Sequence, residues 1–171
     1  MSRLVMKFGG TSVADVERVT RVARHVAAER ALDEPEKRLA LVKKIVDVAT
    51  TEYGIAMHDI VIDPLAMPIG ADTSSGVNTL ETMRRIRDEY GLNMTCGASN
   101  VSFGMPERHT LNATWLPMAM MNGLTSAIMD ARTPEIVNAV KAADLFLNHD
   151  EWGMSWIGAA RAKKAAAEAN A

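Results

Sequence analysis

A chain of 171 residues with 48% hydrophobic content is long enough to bury one real core, which excludes a disordered tail. A formal net charge of −2 gives no global basic field, so bulk attraction to nucleic acid or to an anionic membrane is not indicated, and any ligand has to be argued from local residues. The single cysteine, Cys96, excludes an internal disulfide and a cysteine-based metal cluster; no stretch reaches the roughly 20 apolar residues of a membrane span, and MSRLVMKFGG lacks a signal-peptide h-region, so the expected setting is the cytoplasm.

The first element is an apolar run, Leu4 to Phe8, stopped by Gly9-Gly10. Thr11-Ser12 then offers an N-cap to a helix with Val13, Val16, Val19, Val22 and Val26 at near-helical spacing. Backbone N–H groups beside paired glycines at a helix start favour an anion, with Lys7 adding charge, although two glycines at a strand end are equally a tight turn. VMKFGGTSVADVERVTRVA, Val5 to Ala23, resembles the opening of aspartate kinases of the amino-acid kinase family. By that resemblance Lys7, Gly9 and Gly10 would face ATP phosphates and Ser12 the amino-acid substrate.

RALDEP, Arg30 to Pro35, is the expected seam between two segments, 1–32 and 33–171. Glu36 to Tyr53 reads as an amphipathic helix with Leu39, Val42, Ile45, Val46 and Ala49 on its inner face, ended by Gly54. Asp59 to Asp63 is a β-branched run that delivers a carboxylate to a loop before Pro64, as a buried parallel strand does. Met67 to Asn78 reads as a loop, Thr79 to Tyr90 as an arginine-rich helix ended by Gly91, and Leu92 to Gly97 as the next strand. The loop that follows, within TCGASNVSFGMPER, carries Ser99, Asn100 and Arg108 among small residues that let a flat ligand approach the backbone.

His109 to Gly123 is apolar nearly all round and so reads as a buried or interface helix, with a kink expected at Pro117. Ser126 to Asp130 repeats the pattern of a strand ending in an acid. Thr133-Pro134-Glu135 opens a helix that turns Ile136, Val137 and Val140 inward. Asp144 to Gly158 places Trp152 and Trp156 at helical spacing, expected to cover the bottom or side of the fold, and a charged, alanine-rich helix closes the chain from Ala159. The methionines clustered at Met105, Met118, Met120, Met121 and Met129 read first as adaptable core filling and second as a pocket lining.

Strand and helix alternate at least four times, the signature of βα units with right-handed crossovers and a parallel sheet. About four parallel strands make either an open α/β sheet or part of a (β/α)8 barrel. In both, ligands bind beyond the carboxyl ends of the strands, which here present Asp63, Asn100 and Asp130. A carboxylate there can accept two hydrogen bonds from an amino-substituted heterocycle, and an asparagine amide can donate and accept at a ring nitrogen. Equally, Asn suits turns and Asp caps the following helix, the reading preferred for Asp130. His25, His58, His109 and His149 are scattered singly, so no metal site is expected. Cys96 reads as a small buried residue rather than a nucleophile.

IVIDPLAMPIG, CGASNVSFGMPERHTLNATWLPMAMMNGL and SAIMDA carry a second resemblance. From about Glu36 onward the chain resembles the C-terminal part of the pterin-binding methyltransferases: methyltetrahydrofolate:corrinoid protein enzymes and the folate domain of cobalamin-dependent methionine synthase. The resemblance implies part of a (β/α)8 barrel related to dihydropteroate synthase, preceded by the kinase-like strand–turn–helix unit. It implies that Asp63 binds the pterin, Asn100 hydrogen-bonds near N5 as the catalytic residue, Ser99 shapes the pocket and Arg108 stands near the folate. The implied activity moves the N5 methyl group of methyltetrahydrofolate to the cobalt of a cobalamin or other corrinoid on a partner protein. Nothing before Glu36 resembles that family's first strands, so the chain is expected to be a fusion of two family fragments. The alternatives are an aspartate kinase-like ATP-binding fragment, and an inactive truncated or fused fragment that self-associates as a homo-oligomer through open barrel edges.

Overall fold

The computed structural model describes residues 34–169. The expected Leu4–Phe8 strand, its glycine turn and helix, and Lys7, Gly9, Gly10 and Ser12 lie outside the described residues. Of the expected parallel strands, three are therefore on view.

Helix α1 (Pro35–Thr51) starts on a proline, whose fixed φ and missing N–H suit a first helical position. It buries Arg38, Leu39, Val42 and Val46. Ile45, expected inside, is 42% exposed beside β1, the edge strand among the described residues. Tyr53, expected within the helix, lies past its end, where Gly54 reverses the chain at φ 65.

A 3-10 turn, Met57–Asp59, leads into β1 (Val61–Ile62), which is shorter than the expected Asp59–Asp63. The N–H groups of Asp59 and Ile60 turn back to Ala56 O (2.9 Å) and Met57 O (3.2 Å) instead of to a neighbouring strand. Helix α2 (Ser74–Tyr90) starts five residues earlier than Thr79. Asp72 Oδ1 accepts both the N–H and the hydroxyl of Ser74 at 2.8 Å, which closes the expected loop early. Gly91 ends α2 in the left-handed conformation, its N–H donating to Arg87 O. Strand β2 (Asn93–Gly97) runs into a 3-10 turn, Ala98–Ser102, and then α3 (Arg108–Met121), which contains Pro117 and remains helical to Met121.

Strand β3 (Ser126–Ile128) and α4 (Pro134–Phe146) follow. The expected helical run through both tryptophans is interrupted. Residues 147–150 turn, Glu151–Gly153 form a 3-10 turn in which Trp152 takes φ 60, and only then does α5 (Met154–Ala169) begin. Trp152 is 89% exposed and covers nothing among the described residues. No described helix is long and apolar enough to cross a membrane.

The three strands form one parallel sheet in the order β1-β2-β3. Val61 pairs with Asn93 and Ile62 with Met94; Thr95, Cys96 and Gly97 pair with Ser126, Ala127 and Ile128. The Thr125 hydroxyl extends this ladder downward: it accepts from Met94 N–H and donates to Met94 O, both at 2.9 Å. This is a mixed α/β architecture consistent with part of a pterin-binding (β/α) barrel.

Alternation along the strands separates the two faces of the sheet. Met94, Cys96, Ala98 and Ile62 are buried on the helix-covered side, together with Met83 and Ile86 of α2, so truncating Ile86 to Ala should cost about 2–5 kcal/mol. On the other face Val61 is exposed, Thr95 half-buried and Ile128 71% exposed. Of the clustered methionines, Met120 and Met129 pack against the core, as the core-filling reading expects, whereas Met118 and Met121 face outward; Met83 and Met94 are buried outside that cluster.

Candidate functional site

The acid after β1, the turn after β2 and the acid after β3 lie at the carboxyl ends of three adjacent strands. Asp63 directly follows β1, Ser99 and Asn100 lie in the 3-10 turn after β2, and Asp130 stands two residues beyond β3. Because Ile62 is level with Met94 while Gly97 is level with Ile128, β1 stops about three residues, or ~10 Å, below the end of β2. The site is therefore stepped, with Asp63 on the lower tread.

Asp63 is held in a short turn of its own. Its Oδ1 accepts the N–H of Leu65 at 2.9 Å, and Leu65 takes φ 60, a left-handed conformation that a branched residue adopts only under constraint. The constraint comes from Arg38, a residue that sequence reasoning passed over. Reaching in from α1 and only 4% exposed, its Nη1 donates to Pro64 O and Leu65 O at 3.0 Å and to Thr79 Oγ1 at 3.1 Å; Thr79 Oγ1 in turn donates to Leu65 O at 3.2 Å. The signal that pointed to it was weak: an arginine followed at once by an inward leucine.

Asn100 is exposed, and its amide folds back over Gly97. A Cβ at Gly97 would lie 3.0 Å from Asn100 Nδ2, so the missing side chain makes the space in which the amide sits. Behind it, Arg108 Nη2 donates to Ser99 O at 2.8 Å and Nε to Ser102 Oγ at 3.1 Å, and the guanidinium lies 5.8 Å from the Phe103 ring centroid. Ser102 Oγ also donates to Ser99 O, at 3.3 Å. Arg108 is thus engaged with the turn that carries Asn100.

The two loops are latched to each other. Ile69 N–H donates to Val101 O at 2.9 Å, and Gly70 approaches Phe103 O and the Met105 sulfur so closely that a Cβ would meet them at 3.3 and 3.2 Å. The walls bearing Asp63 and Asn100 are accordingly one packed unit.

Two titrating groups report on the local field. The Cys96 thiol, under this surface, is pushed up to about 12, first by burial and then by the negative charge of Asp63. That keeps it protonated and inert, as expected of a buried structural cysteine. Asp130 is held down to about 2, chiefly by hydrogen bonds from the Arg132 side chain and backbone at 2.9 and 3.0 Å, with a smaller contribution from His109. Its carboxylate is therefore turned to Arg132, in line with the preferred reading of Asp130 as a turn residue. Among the described residues no three His, Cys, Asp or Glu side chains are grouped as a metal would require.

The hollows divide by chemistry. One of about 230 Å³ beside β1 is lined by Arg38, Val61, Asp63 and Leu65 among others. A larger one, about 550 Å³, lies on the opposite side of the sheet, under α4 at the free edge of β3, with Met120, Ala127, Ile136 and Val140 in its wall. Its mostly apolar lining includes none of Asp63, Ser99, Asn100 or Arg108, and it sits where a further strand beside β3 would pass. It is a packing gap at a sheet edge. The stepped strand ends, by contrast, carry a carboxylate, an amide and a shelf of small residues, groups able to hydrogen-bond a flat, amino-substituted heterocycle.

Comparison with known proteins bears on the same segments. The family model for pterin binding enzymes matches residues 2–130, a range that takes in Asp63, Ser99, Asn100, Arg108 and Asp130 and also runs through the kinase-like segment. The methylcorrinoid:tetrahydrofolate methyltransferase of Eubacterium limosum is 32% identical over 116 residues, covering 67% of this chain. The matched stretch is 42% of that protein, so the chain spans about two fifths of the length of its curated relative.

Proposed function

The chain belongs to the pterin-binding enzyme family, and on that premise we propose that its strand ends hold a reduced folate for methyl transfer between N5 and the cobalt of a corrinoid carried by a partner protein. The observation that supports this most directly is the latched pair of loops presenting the Asp63 carboxylate and the Asn100 amide from adjacent strands. Asp63, with Oδ1 already fixed by Leu65, offers its other oxygen to the amino-substituted edge of the pterin. Ser99 and Gly97 keep the shelf low enough for a flat ring. Arg108 braces the Asn100 turn, and through it the folate.

The methyl group moves as a cation equivalent: one bond, to nitrogen or to cobalt, breaks as the other forms, and the electron pair stays on the atom left behind. The relative's name runs from methylcorrinoid to tetrahydrofolate; the sequence resemblance suggested the opposite direction. The same residues serve both directions, because both pass through one transition state. An amide whose hydrogen bond to N5 strengthens as that nitrogen changes charge stabilises the transition state over the ground state, worth about 2–4 kcal/mol by analogy with a preorganised donor. The chain's own part is to bind, orient and hydrogen-bond the pterin; the corrinoid comes with its partner.

Anaerobic calorimetric titration of tetrahydrofolate into the full chain tests the reading. Binding is expected, with Asp63→Asn weakening it by about tenfold and Asn100→Ala leaving affinity nearly intact while slowing methyl exchange with methylcob(III)alamin by ~30-fold or more. Absence of binding in the parent chain would overturn the proposal.

A further inference from the structure

We infer that Arg38 is a positioning residue for Asp63: a buried guanidinium on α1 sets the turn through which the carboxylate is presented. The inference rests on the reading of Asp63 as the pterin-binding carboxylate and adds to it a residue outside the strand ends.

An arginine in a surface helix ordinarily keeps its guanidinium in water, and removing that group from water carries a large penalty. Arg38 is nevertheless 4% exposed. Among its acceptors are the carbonyl oxygens of Pro64 and Leu65, the two residues that follow Asp63, and Thr79 Oγ1, which itself donates to the Leu65 carbonyl. The guanidinium therefore holds the carbonyls on either side of Leu65, and the hydroxyl adds a second bond to the latter one. Leu65 sits at φ 60, a conformation strained for a side chain like leucine. In this conformation the Leu65 N–H reaches Asp63 Oδ1 at 2.9 Å. Release of the carbonyl would let Leu65 relax, lose the N–H contact and free the carboxylate to rotate.

A purely structural role, pinning α1 to the sheet, predicts a different pattern. It would lower stability when removed but leave the pterin affinity of the remaining folded protein unchanged. A positioning role acts through Asp63, so its effect must vanish when Asp63 can no longer read the ligand.

The test is a double-mutant cycle on the full chain, titrating tetrahydrofolate anaerobically and following thermal melts alongside. Arg38→Met keeps the aliphatic stem and removes the donors; it is expected to weaken binding by roughly five- to twentyfold, and Arg38→Lys to recover part of that. Thr79→Val, a smaller change, should weaken binding by about twofold or more in the same direction. If Arg38→Met fails to fold, Thr79→Val and Arg38→Lys complete the same cycle. In combination with Asp63→Asn, each substitution is expected to cost nothing further. Parental affinity in folded Arg38→Met, or losses that multiply with Asp63→Asn, overturns the positioning role while the pterin reading stands. Parental affinity in Asp63→Asn, or no binding by the parent chain, overturns the reading itself and this inference with it.

Discussion

Replacing Gly97 by alanine isolates the contribution of the Asn100 amide, because the backbone itself gives no objection. Gly97 sits at φ −70 and ψ 81, where alanine is comfortable. The added Cβ would lie 3.0 Å from Asn100 Nδ2, 3.4 Å from Cγ and 3.5 Å from Oδ1. Ordinary contact begins near 3.5 Å, so the amide must retreat by about half an ångström. A side chain pushed some 30° from its rotamer costs about 0.5–1.5 kcal/mol. A 1 Å error at a reacting group costs on the order of a hundredfold, so half of that is about tenfold, or ~1.4 kcal/mol. The two routes agree on roughly a tenfold slower methyl transfer. Stability should change by less than about 1 kcal/mol, because the ~0.4–1 kcal/mol gained as alanine narrows the unfolded ensemble is offset by the strain placed on Asn100. Loss of methylcob(III)alamin absorbance in the presence of tetrahydrofolate measures the rate, and a thermal melt measures the fold. Gly158→Ala is the control, because a Cβ there meets nothing within 4 Å. A parental transfer rate in folded Gly97→Ala would refute the reasoning: the amide would then be either elsewhere or uninvolved.

Three other outcomes can be checked directly. Cys96 should resist a thiol reagent at pH 8–9 in the native chain and react fully in urea; its folded pKa, about 12, lies above the unfolded 9.0, so its contribution to stability is complete below pH 9 and is lost as pH rises towards 12, a decline that Cys96→Ala should flatten in alkaline melts. Asp130 should titrate near 2 by carbon NMR and return towards 3.8 in Arg132→Ala; its contribution is present above the ordinary carboxylate value and disappears as pH falls through about 2. Gly123→Ala should lower the urea midpoint by the equivalent of about 1–3 kcal/mol, because its φ of +104 disfavours a side chain and the new Cβ would lie 2.8 Å from Arg87 Cβ.

Legibility in the sequence followed the physics of each element. The parallel strands and the helices between them were readable because β-branched runs and i, i+3, i+4 spacing report burial directly, and the placement of Asp63, Ser99 and Asn100 at strand ends was readable because they end such runs. Boundaries slipped where local hydrogen bonds compete with the regular ladder, as at Asp59 and Ile60 before β1 and at Asp72 before α2. Ile45 carried the right period but lies at the open edge of the sheet, where no described neighbour covers it. Trp152 has helical spacing from Trp156, yet the turn after α4 puts it at positive φ outside any helix. Arg38 was invisible because a charge on a helix is taken for a solvated one, and only the fold reveals the carbonyls under it. Gly97 was legible as one of the small residues that leave room at the strand end, but not that the room is taken by the Asn100 amide.

The hydrogen bond from Ile69 to Val101 has a consequence for how this surface tolerates sequence drift. A main-chain bond does not depend on which side chains flank it, so the latch itself survives any exchange at 69 or 101 that the core around Val101 and Ile69 can accommodate. Proline at 69 is the exception, since it has no N–H to give. Neighbouring Pro68 therefore marks how close the latch lies to the residue that would break it: a proline shifted one position along the chain would cut the link.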